Sequence, residues 1–372
     1  MTIVGVLSEA PGRERRVALT PDAAGRLRDR RVRVVVEAGA GGRAWFGDGD
    51  YEAAGAEVVT RDQVYARSDV LLCLHPPDDV AALPEGRVLI GLLDPLGDLG
   101  LAERLAAARI TAISLDLLPR TLSRAQAMDA LTSQANVAGY KAALLAAEAY
   151  GGFFPMLVTA AGTTRPAQVL VLGAGVAGLQ AIATARRLGA LVTGYDVREA
   201  ALADIASLGA SVLRAPHADR SGSDGYARPL AEDEAGAQQA ALRAAIPRFD
   251  VVITTAKVPG APAPLLVPAA ALAEMRPGSV VLDLAVGNVE GSLPDTRTLT
   301  ENGVTVIGAP DLAATVPVAA STAYARNAVA LLTHLMPDGV LTLDPDDEVQ
   351  AGVLVCHDGH IVHSRLLKGI RS

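Results

Sequence analysis

A glycine-rich turn in the middle of the chain has the spacing of a phosphate-binding loop. It is Gly173-Ala174-Gly175-Val176-Ala177-Gly178, between an apolar run, Gln168 to Leu172, and a helix-like stretch, Leu179 to Arg187. Asp196 ends the next apolar run, 18 residues beyond Gly178. In a βαβ unit, the first glycine permits the tight turn, the second lets the backbone approach a pyrophosphate, and the third lets helix pack on strand, while the acid accepts from ribose hydroxyls. The pattern predicts a dinucleotide-binding site.

The acid also indicates which dinucleotide binds. The carboxylate of Asp196 can accept from both ribose hydroxyls and would repel a 2′-phosphate, which favours NAD over NADP. Arg198 follows after Val197, and it could pair either with the pyrophosphate or with Asp196 itself. The sequence predicts NAD and leaves both partners of Arg198 open.

The composition excludes several classes of protein. The chain has 372 residues, of which 50% are hydrophobic and 3% aromatic, and its formal net charge is -8. This length favours two domains. Because the chain is acidic and poor in aromatic residues, it is not expected to bind nucleic acid. Cys73 and Cys356 lie in apolar runs and indicate a reducing compartment without disulfides. The first residues lack a secretory signal, and the uncharged stretch Gln168 to Ala185 is interrupted by the glycine turn, so we expect a cytoplasmic protein without a transmembrane helix.

Short apolar runs alternate with helical patterns in two blocks, which predicts parallel sheets with right-handed crossovers. The predicted strands are Thr2 to Leu7, Val32 to Glu37, Asp69 to His75, Val88 to Leu93 and Ile110 to Leu117, then Val169 to Leu172, Leu191 to Asp196, Asp250 to Thr255, Ser279 to Leu284 and Val304 to Ile307. A helix-compatible segment, Ala125 to Tyr150, joins the blocks, and a helix from Ala320 to Leu335 returns to the first. The fold class is α/β, with two doubly wound, Rossmann-like domains separated by a cleft. The first is discontinuous, residues 1–135 plus 320–372, and the NAD-binding domain is residues 136–319.

Other segments also have recognisable patterns. Residues 215–234 are polar and Gly-rich, as in a mobile flap. Gly352 to His363 predicts a hairpin turning at Asp358-Gly359. The hairpin carries three histidines, but no cysteine or carboxylate pair completes a ligand set, and no metal site is predicted. His75, at the end of a strand, is placed like an acid or base at the edge of a sheet, although a structural role is commoner.

Four polar residues, Arg120, Gln126, Asp129 and Thr132, lie around the start of the connecting helix, where a domain boundary would place a cleft. Spacing alone favours a structural interpretation. Ser123-x-x-Gln126 fits a capping box, and Asp129 and Thr132 fit solvated helix positions.

Longer motifs resemble those of a known family. They are Arg16-Val-Ala-Leu-Thr-Pro21, Ser123 to Tyr140, Thr159-Ala-Ala-Gly-Thr163, Leu172 to Ala185, Asp196-Val-Arg198, Gly225-Tyr226-Ala227, Ile253-Thr-Thr-Ala256 and Val281-Leu-Asp-Leu-Ala285. Together they extend over essentially the whole chain and resemble the soluble NAD(H)-binding component of proton-translocating nicotinamide nucleotide transhydrogenase. The resemblance implies direct hydride transfer from NADH bound here to NADP bound on a partner subunit, coupled to proton translocation by membrane-spanning subunits. It also implies a homodimer held at the cytoplasmic face of the membrane by those partners, without direct membrane insertion.

The resemblance further implies roles for individual residues. Gln126 would help to orient the nicotinamide ribose of the partner's nucleotide, with Asp129 and Thr132 near the carboxamide of the bound NAD and Arg120 near its ring. Other implied contacts with the bound nucleotide are the flap residues Gly225 and Tyr226, and, on the adenosine side, Gln238 and the backbone at Ala256 and Lys257.

Two alternatives remain open. The wider superfamily includes alanine dehydrogenase, and an NAD-dependent amino-acid dehydrogenase must move protons as well as hydride. Its substrate-binding lysine and proton-transferring histidine would fall in Leu72-Cys73-Leu74-His75-Pro76 and Leu92-Leu93-Asp94-Pro95, which lack them apart from the displaced His75. Hydride transfer between two nicotinamides changes the protonation of no heteroatom and fits the missing groups better. The second alternative is a noncatalytic NAD-binding module.

Three departures from the family pattern change the sequence near the implied site. Thr121-Leu122 stands where relatives have one residue, which moves Arg120. A positive charge is moved to Lys257, and Val286-Gly287-Asn288-Val289 replaces an expected Gly-Gly-Asn.

Overall fold

The computed structural model describes residues 1–10, 12, 14–214, 232–257 and 262–371. The chain divides into two compact units, Met1–Gln134 with Ala314–Ser372, and Ala135–Ala313. The strands are β1 (Ile3–Val6), β2 (Arg33–Glu37), β3 (Glu57–Val59), β4 (Val70–Leu72), β5 (Val88–Gly91), β6 (Thr111–Ser114), β7 (Leu157–Thr159), β8 (Gly162–Thr164), β9 (Gln168–Leu172), β10 (Leu191–Tyr195), β11 (Ser211–Val212), β12 (Val251–Thr254), β13 (Val280–Asp283), β14 (Thr296–Leu299), β15 (Thr305–Gly308), β16 (Leu354–His357) and β17 (His360–Ile361). The helices are α1 (Pro21–Asp29), α2 (Asp48–Ala53), α3 (Arg61–Arg67), α4 (Leu99–Ala107), α5 (Ala130–Ala149), α6 (Val176–Arg187), α7 (Glu199–Ser207), α8 (Glu232–Ala245), α9 (Ala269–Glu274), α10 (Pro317–Leu335), α11 (Glu348–Val353) and α12 (Ser364–Arg371).

The first unit is built on a sheet in the order β17-β16-β6-β5-β4-β1-β2-β3. Strands β1 to β6 are parallel, and β16 pairs with β6 in the antiparallel sense. Apolar residues are buried on both faces, as parallel sheets require: Val4 and Val6 belong to one core cluster, and Leu71 and Leu89 to another. The strand order reverses between β1 and β4, in the doubly wound arrangement.

The second unit has a sheet in the order β11-β10-β9-β12-β13-β15-β14, parallel except for its edge strand β14. Val169 and Val171 of β9 pack in one core cluster with alanines of α5, while Leu170 and Leu172 pack on the other face. The order reverses between β9 and β12, so the loops after these two strands diverge at the carboxyl edge of the sheet. The α/β class with two Rossmann-like parallel sheets is therefore confirmed.

The start of the connecting helix was predicted wrongly. Residues 123–128 form a 3₁₀ helix rather than the first turns of the predicted helix from Ala125, and α5 begins at Ala130. The break occurs at Asp129, whose Oδ1 accepts from the amide of Thr132 at 2.8 Å, the bond that an N-cap residue makes. The capping box at Ser123 is also wrong, because the 3₁₀ helix follows Leu122 and has no side-chain cap within the described residues.

Two smaller predictions concern the C-terminal hairpin and the flap. The C-terminal hairpin is confirmed: β16 and β17 pair across Asp358 and Gly359, both with positive φ. In the hairpin, Nδ1 of His357 lies 2.9 Å from the hydroxyl of Thr111. Most of the predicted flap, residues 215–231, lies outside the described residues.

Of the helices that the structure describes, none combines the length and apolar character needed to span a bilayer.

Candidate functional site

The glycine turn lies immediately after β9, at the reversal of strand order in the second unit. Gly173 has φ +95°, and a Cβ there would lie 2.8 Å from Thr255 Oγ1 and 3.1 Å from Ala256 N, in the loop after β12. Thr255 Oγ1 donates to Gly173 O at 3.0 Å. The turn is thus packed against the next strand's loop, and only glycine can stand at its first position.

The other two glycines have different surroundings. A Cβ on Gly178 would collide with the Gly173 carbonyl oxygen, so this residue permits the helix to close on the turn. Gly175 precedes α6 as its N-cap, and a Cβ there would meet nothing within 4 Å. Val176 and Ala177 begin α6, whose first amides have no partner within the helix and carry its positive dipole end. Open space in front of Gly175 and these amides fits a pyrophosphate.

Asp196 is joined to both the glycine turn and Arg198. Its Oδ2 accepts from the amide of Ala174 at 2.7 Å, and its two oxygens accept from Arg198 Nε and Nη2, both at 2.9 Å. Burial opposes ionisation of this carboxyl, but the bonds from Arg198 outweigh it and hold the pKa of Asp196 below its usual value. The sequence left either the pyrophosphate or Asp196 as the partner of Arg198, and in the structure Arg198 pairs with Asp196. Val197 between them packs against an apolar cluster of the same unit.

Asn288 fixes the loop after β12. Its Oδ1 accepts from Ala256 N at 3.0 Å, and its Nδ2 donates to the carbonyls of Ala256 at 3.0 Å and Pro264 at 2.7 Å. The side chain is fully buried. The altered sequence at positions 286–289 therefore still holds the segment that packs against Gly173.

A second buried side chain, Asp283 at the end of β13, shapes the loop that carries Asn288. It accepts from Thr254 Oγ1 at 2.9 Å and from the amides of Ala285, Val286, Gly287 and Val289 at 3.0 to 3.1 Å. Sequence reasoning assigned a role to neither Asp283 nor Asn288. The sequence did contain a signal for this loop, namely an acid at the end of a buried strand, followed by Gly287 and Asn288.

The remaining predicted contacts of this unit are less closely grouped. Gln238 is buried, and its Nε2 donates at 2.8 Å to the hydroxyl of Tyr195, the last residue of β10. Lys257 is exposed. Gly225 and Tyr226 lie outside the described residues.

A polar cluster in the first unit contains three of the residues around the connecting helix. Arg120 Nε donates to Asp129 Oδ2 at 2.8 Å, and Arg120 Nη2 donates to the Thr132 hydroxyl at 2.7 Å. That hydroxyl in turn donates to Asp129 Oδ2 at 2.7 Å. Asp129 and Thr132 are not the solvated helix positions that spacing favoured, and the shifted Arg120 still reaches them. Gln126 stands on the adjoining 3₁₀ helix with its side chain exposed.

His75 belongs to a separate network after β1 and β4. Arg16 is buried; its Nε and Nη2 donate to the two oxygens of Glu14 at 2.9 and 2.6 Å, and its Nη1 donates to Gln134 Oε1 at 2.9 Å. His75 Nε2 lies 3.0 Å from Glu14 Oε2, and this bond raises the pKa of His75 above its usual value. Leu74, within the run where an amino-acid dehydrogenase has its substrate lysine, is fully buried. An internal carboxylate thus occupies the guanidinium that could otherwise bind a substrate carboxylate.

Comparison with known families agrees with this geometry. Residues 5–138 match the family model described as alanine dehydrogenase/PNT, N-terminal domain, and residues 142–364 match alanine dehydrogenase/PNT, C-terminal domain. The chain belongs to the alanine dehydrogenase/PNT family. Membership in this family of oxidoreductases implies that the chain binds a nicotinamide nucleotide.

Within the alanine dehydrogenase/PNT family, the transhydrogenases are the more similar branch. The chain is 41% identical to NAD(P) transhydrogenase subunit alpha of Cereibacter sphaeroides, over 94% of this chain and 68% of that one. It is 39% identical to NAD(P) transhydrogenase subunit alpha of Haemophilus influenzae, over 96% of this chain and 71% of that one. The crystal structure of transhydrogenase from Sinorhizobium meliloti has a TM-score of 0.85 at 38% identity, covering 98% of this chain and 99% of that one. Alanine dehydrogenase of Mycolicibacterium smegmatis is more distant, at 29% identity over 99% of this chain and 96% of that one.

Proposed function

We propose that the chain is the NAD(H)-binding component of a proton-translocating NAD(P) transhydrogenase and presents NADH to NADP held on a separate subunit. Two observations carry the proposal: Arg16 is paired with Glu14, and Leu74 is a buried apolar residue. This arrangement offers a substrate amino acid neither a free guanidinium nor a lysine. The partners would be NADP-binding and membrane-spanning subunits, which would hold the chain at the cytoplasmic face of the membrane.

The residues of the second unit support NADH as the nucleotide. The amides at the start of α6 would hold the pyrophosphate at Gly175, and the ionised Asp196 would accept from ribose hydroxyls. The guanidinium of Arg198 bonds to Asp196 rather than standing ready for a 2′-phosphate. These features favour NADH over NADPH.

The family resemblance assigns polar residues near the connecting helix to the nicotinamide end. Bound NADH supplies a hydride and NADP⁺ accepts it, so neither nucleotide needs a proton from the protein. The Arg120, Asp129 and Thr132 cluster is held by its own short bonds and offers fixed polar atoms to a carboxamide. Gln126 is exposed and could reach a nucleotide on another subunit. Positioning is the catalytic contribution that these residues would make.

Hydride transfer to an NADP analogue tests the proposal. The purified chain is mixed with NADH, an oxidised NADP analogue and the NADP-binding component of a transhydrogenase, and reduction of the analogue is followed by absorbance. We expect transfer that depends on both proteins. A noncatalytic module would bind NADH and transfer nothing, and an amino-acid dehydrogenase would reduce NAD with alanine in the absence of the partner.

Gln126→Asn tests the role of the exposed amide in the same assay. The shorter side chain should slow transfer about tenfold, because a displacement of the order of 1 Å at a reacting centre has a large effect on rate. NADH affinity, measured by fluorescence titration, should change little. A large loss of affinity with normal turnover contradicts the assigned role.

A second copy of the chain is the proposed occupant of an exposed apolar surface on the second unit. Strands β7 and β8 form a separate two-stranded sheet, which is marginally stable by itself. Three apolar side chains here are exposed: Val158 on β7, and Phe153 and Met156, which precede this strand. Burial of such side chains between two copies would stabilise the hairpin and supports the homodimer that the family resemblance implies.

A further inference from the structure

Helix α10 carries polar side chains on a buried face, and each bonds to a different segment of the first unit. Ser321 Oγ accepts from Val17 N at 2.9 Å, and the hydroxyl of Tyr324 donates to Cys73 O at 2.7 Å. Asn327, one turn further, donates from Nδ2 to Ala127 O at 2.8 Å. These positions are three residues apart and therefore lie on one side of the helix.

Asn327 is notable because of the segment that it holds. Ala127 follows Gln126 in the 3₁₀ helix, whose inner side is anchored by the buried Ala125 and Met128. Because a 3₁₀ helix has poorer hydrogen-bond geometry than an α-helix, external contacts must fix its orientation. The side-chain amide of Asn327 makes such a contact, with the carbonyl of Ala127, the residue after Gln126.

The environment of Asn327 is costly for an amide. The residue is 9% exposed, and its buried Oδ1 has no hydrogen-bond partner among the described residues. A buried acceptor without a partner lowers stability and offsets the gain from the bond between Nδ2 and Ala127 O, so the net contribution of the amide to stability is small. Stability alone therefore does not account for an asparagine at this position.

We propose that Asn327 is a positioning residue for hydride transfer, acting through Ala127 to set the orientation of the Gln126 side chain. The inference rests on the proposed function of Gln126. Asn327 does not belong to the nucleotide site of the second unit, so its loss should leave NADH binding unchanged.

The test uses the full chain with the transhydrogenase NADP-binding component, NADH and the oxidised NADP analogue. Asn327→Leu should slow hydride transfer about tenfold at saturating NADH. It should leave the dissociation constant for NADH within twofold. The Tm should change little, because the loss of the bond to Ala127 O and the removal of the unpaired Oδ1 have opposite effects. Ser321→Ala, on the same helix, is the matched control: its Tm should fall while transfer stays at the wild-type rate.

A double-mutant cycle separates positioning from a general structural role. In a Gln126→Ala background, Asn327→Leu should have less than a twofold further effect. Additive effects, or normal transfer by Asn327→Leu alone, overturn the inference. No transfer by the wild type instead overturns the proposed function, and normal transfer by Gln126→Ala overturns the role assigned to Gln126 within it. If Asn327→Leu does not fold, Asn327→Asp, which has the same volume but cannot donate when ionised, should show the same loss and the same dependence on Gln126.

Discussion

Asn288→Asp keeps the size of a fully buried side chain and reverses the polarity of one end. An ionised aspartate would still accept from Ala256 N, but its second oxygen would face the carbonyls of Ala256 and Pro264, to which Nδ2 now donates at 3.0 and 2.7 Å. Two hydrogen bonds worth about 1 kcal/mol each would be lost, and an unpaired buried charge adds to the loss. We expect a destabilisation of about 3 to 5 kcal/mol at pH 7.

The loss should depend on pH and should extend to the nucleotide site. Burial and two facing carbonyls raise the pKa of the introduced carboxyl in the folded state above its unfolded value of about 3.9. The deficit in stability therefore grows as pH rises through the folded pKa and shrinks as pH falls, because the protonated acid can donate to one carbonyl. Since Ala256 packs against Gly173, NADH affinity should fall as well.

Asn302→Asp is the matched control for Asn288→Asp. Asn302 Nδ2 also donates to backbone carbonyls, of Leu272 at 2.9 Å and Met275 at 3.1 Å, but it precedes β15 and so lies at the opposite edge of the sheet from the glycine turn. Scanning calorimetry gives the stability of each variant, and titration at a temperature where both are folded gives the NADH affinity. The control should lose stability and keep its affinity. If Asn288→Asp binds NADH as tightly as the control, or if its deficit is the same at pH 5 and pH 8, the reasoning is wrong.

Other parts of the molecule give three further predictions. Arg198→Met should destabilise the chain by about 2 kcal/mol at pH 7, because the buried Asp196 loses its cation. The difference from wild type in urea unfolding should narrow as pH falls, because the unpaired acid becomes protonated at a higher pH than the paired one. Gly178→Ala should abolish detectable NADH binding by fluorescence titration, since its Cβ collides with the Gly173 carbonyl, and retained binding contradicts the packing described. Val158→Glu should convert a dimer to a monomer in light scattering without a change in NADH affinity, and an unchanged dimer places the interface elsewhere.

The sheets could be predicted because each buried strand is a local apolar run. Runs such as Val169 to Leu172 need no knowledge of distant residues, and the glycine turn has its own spacing. Strand β14, by contrast, is exposed along its length and was missed, since a polar edge strand has no hydrophobic pattern. The start of α5 was misplaced because Asp129 ends one helix and caps the next, and the sequence there is helix-compatible throughout.

The site residues that could not be predicted depend on long-range contacts. Asn288 bonds to Ala256, 32 residues earlier, and Arg16 bonds to Gln134, 118 residues later. Such pairs leave no local pattern, because each partner alone resembles an ordinary polar residue. Only the fold shows that Asn288 holds the segment at Ala256 and that Arg16 reaches Gln134.

The two-segment construction of the first unit has a consequence for biosynthesis. Helix α10 contributes fully buried side chains, such as Tyr324 and Leu331, to the core made by the N-terminal segment, and β16 pairs with β6. A ribosome therefore releases a continuous second unit before it releases the residues that complete the first. During that interval the N-terminal segment has an uncovered apolar face and an unpaired β6 edge, the features through which nascent chains aggregate or recruit chaperones.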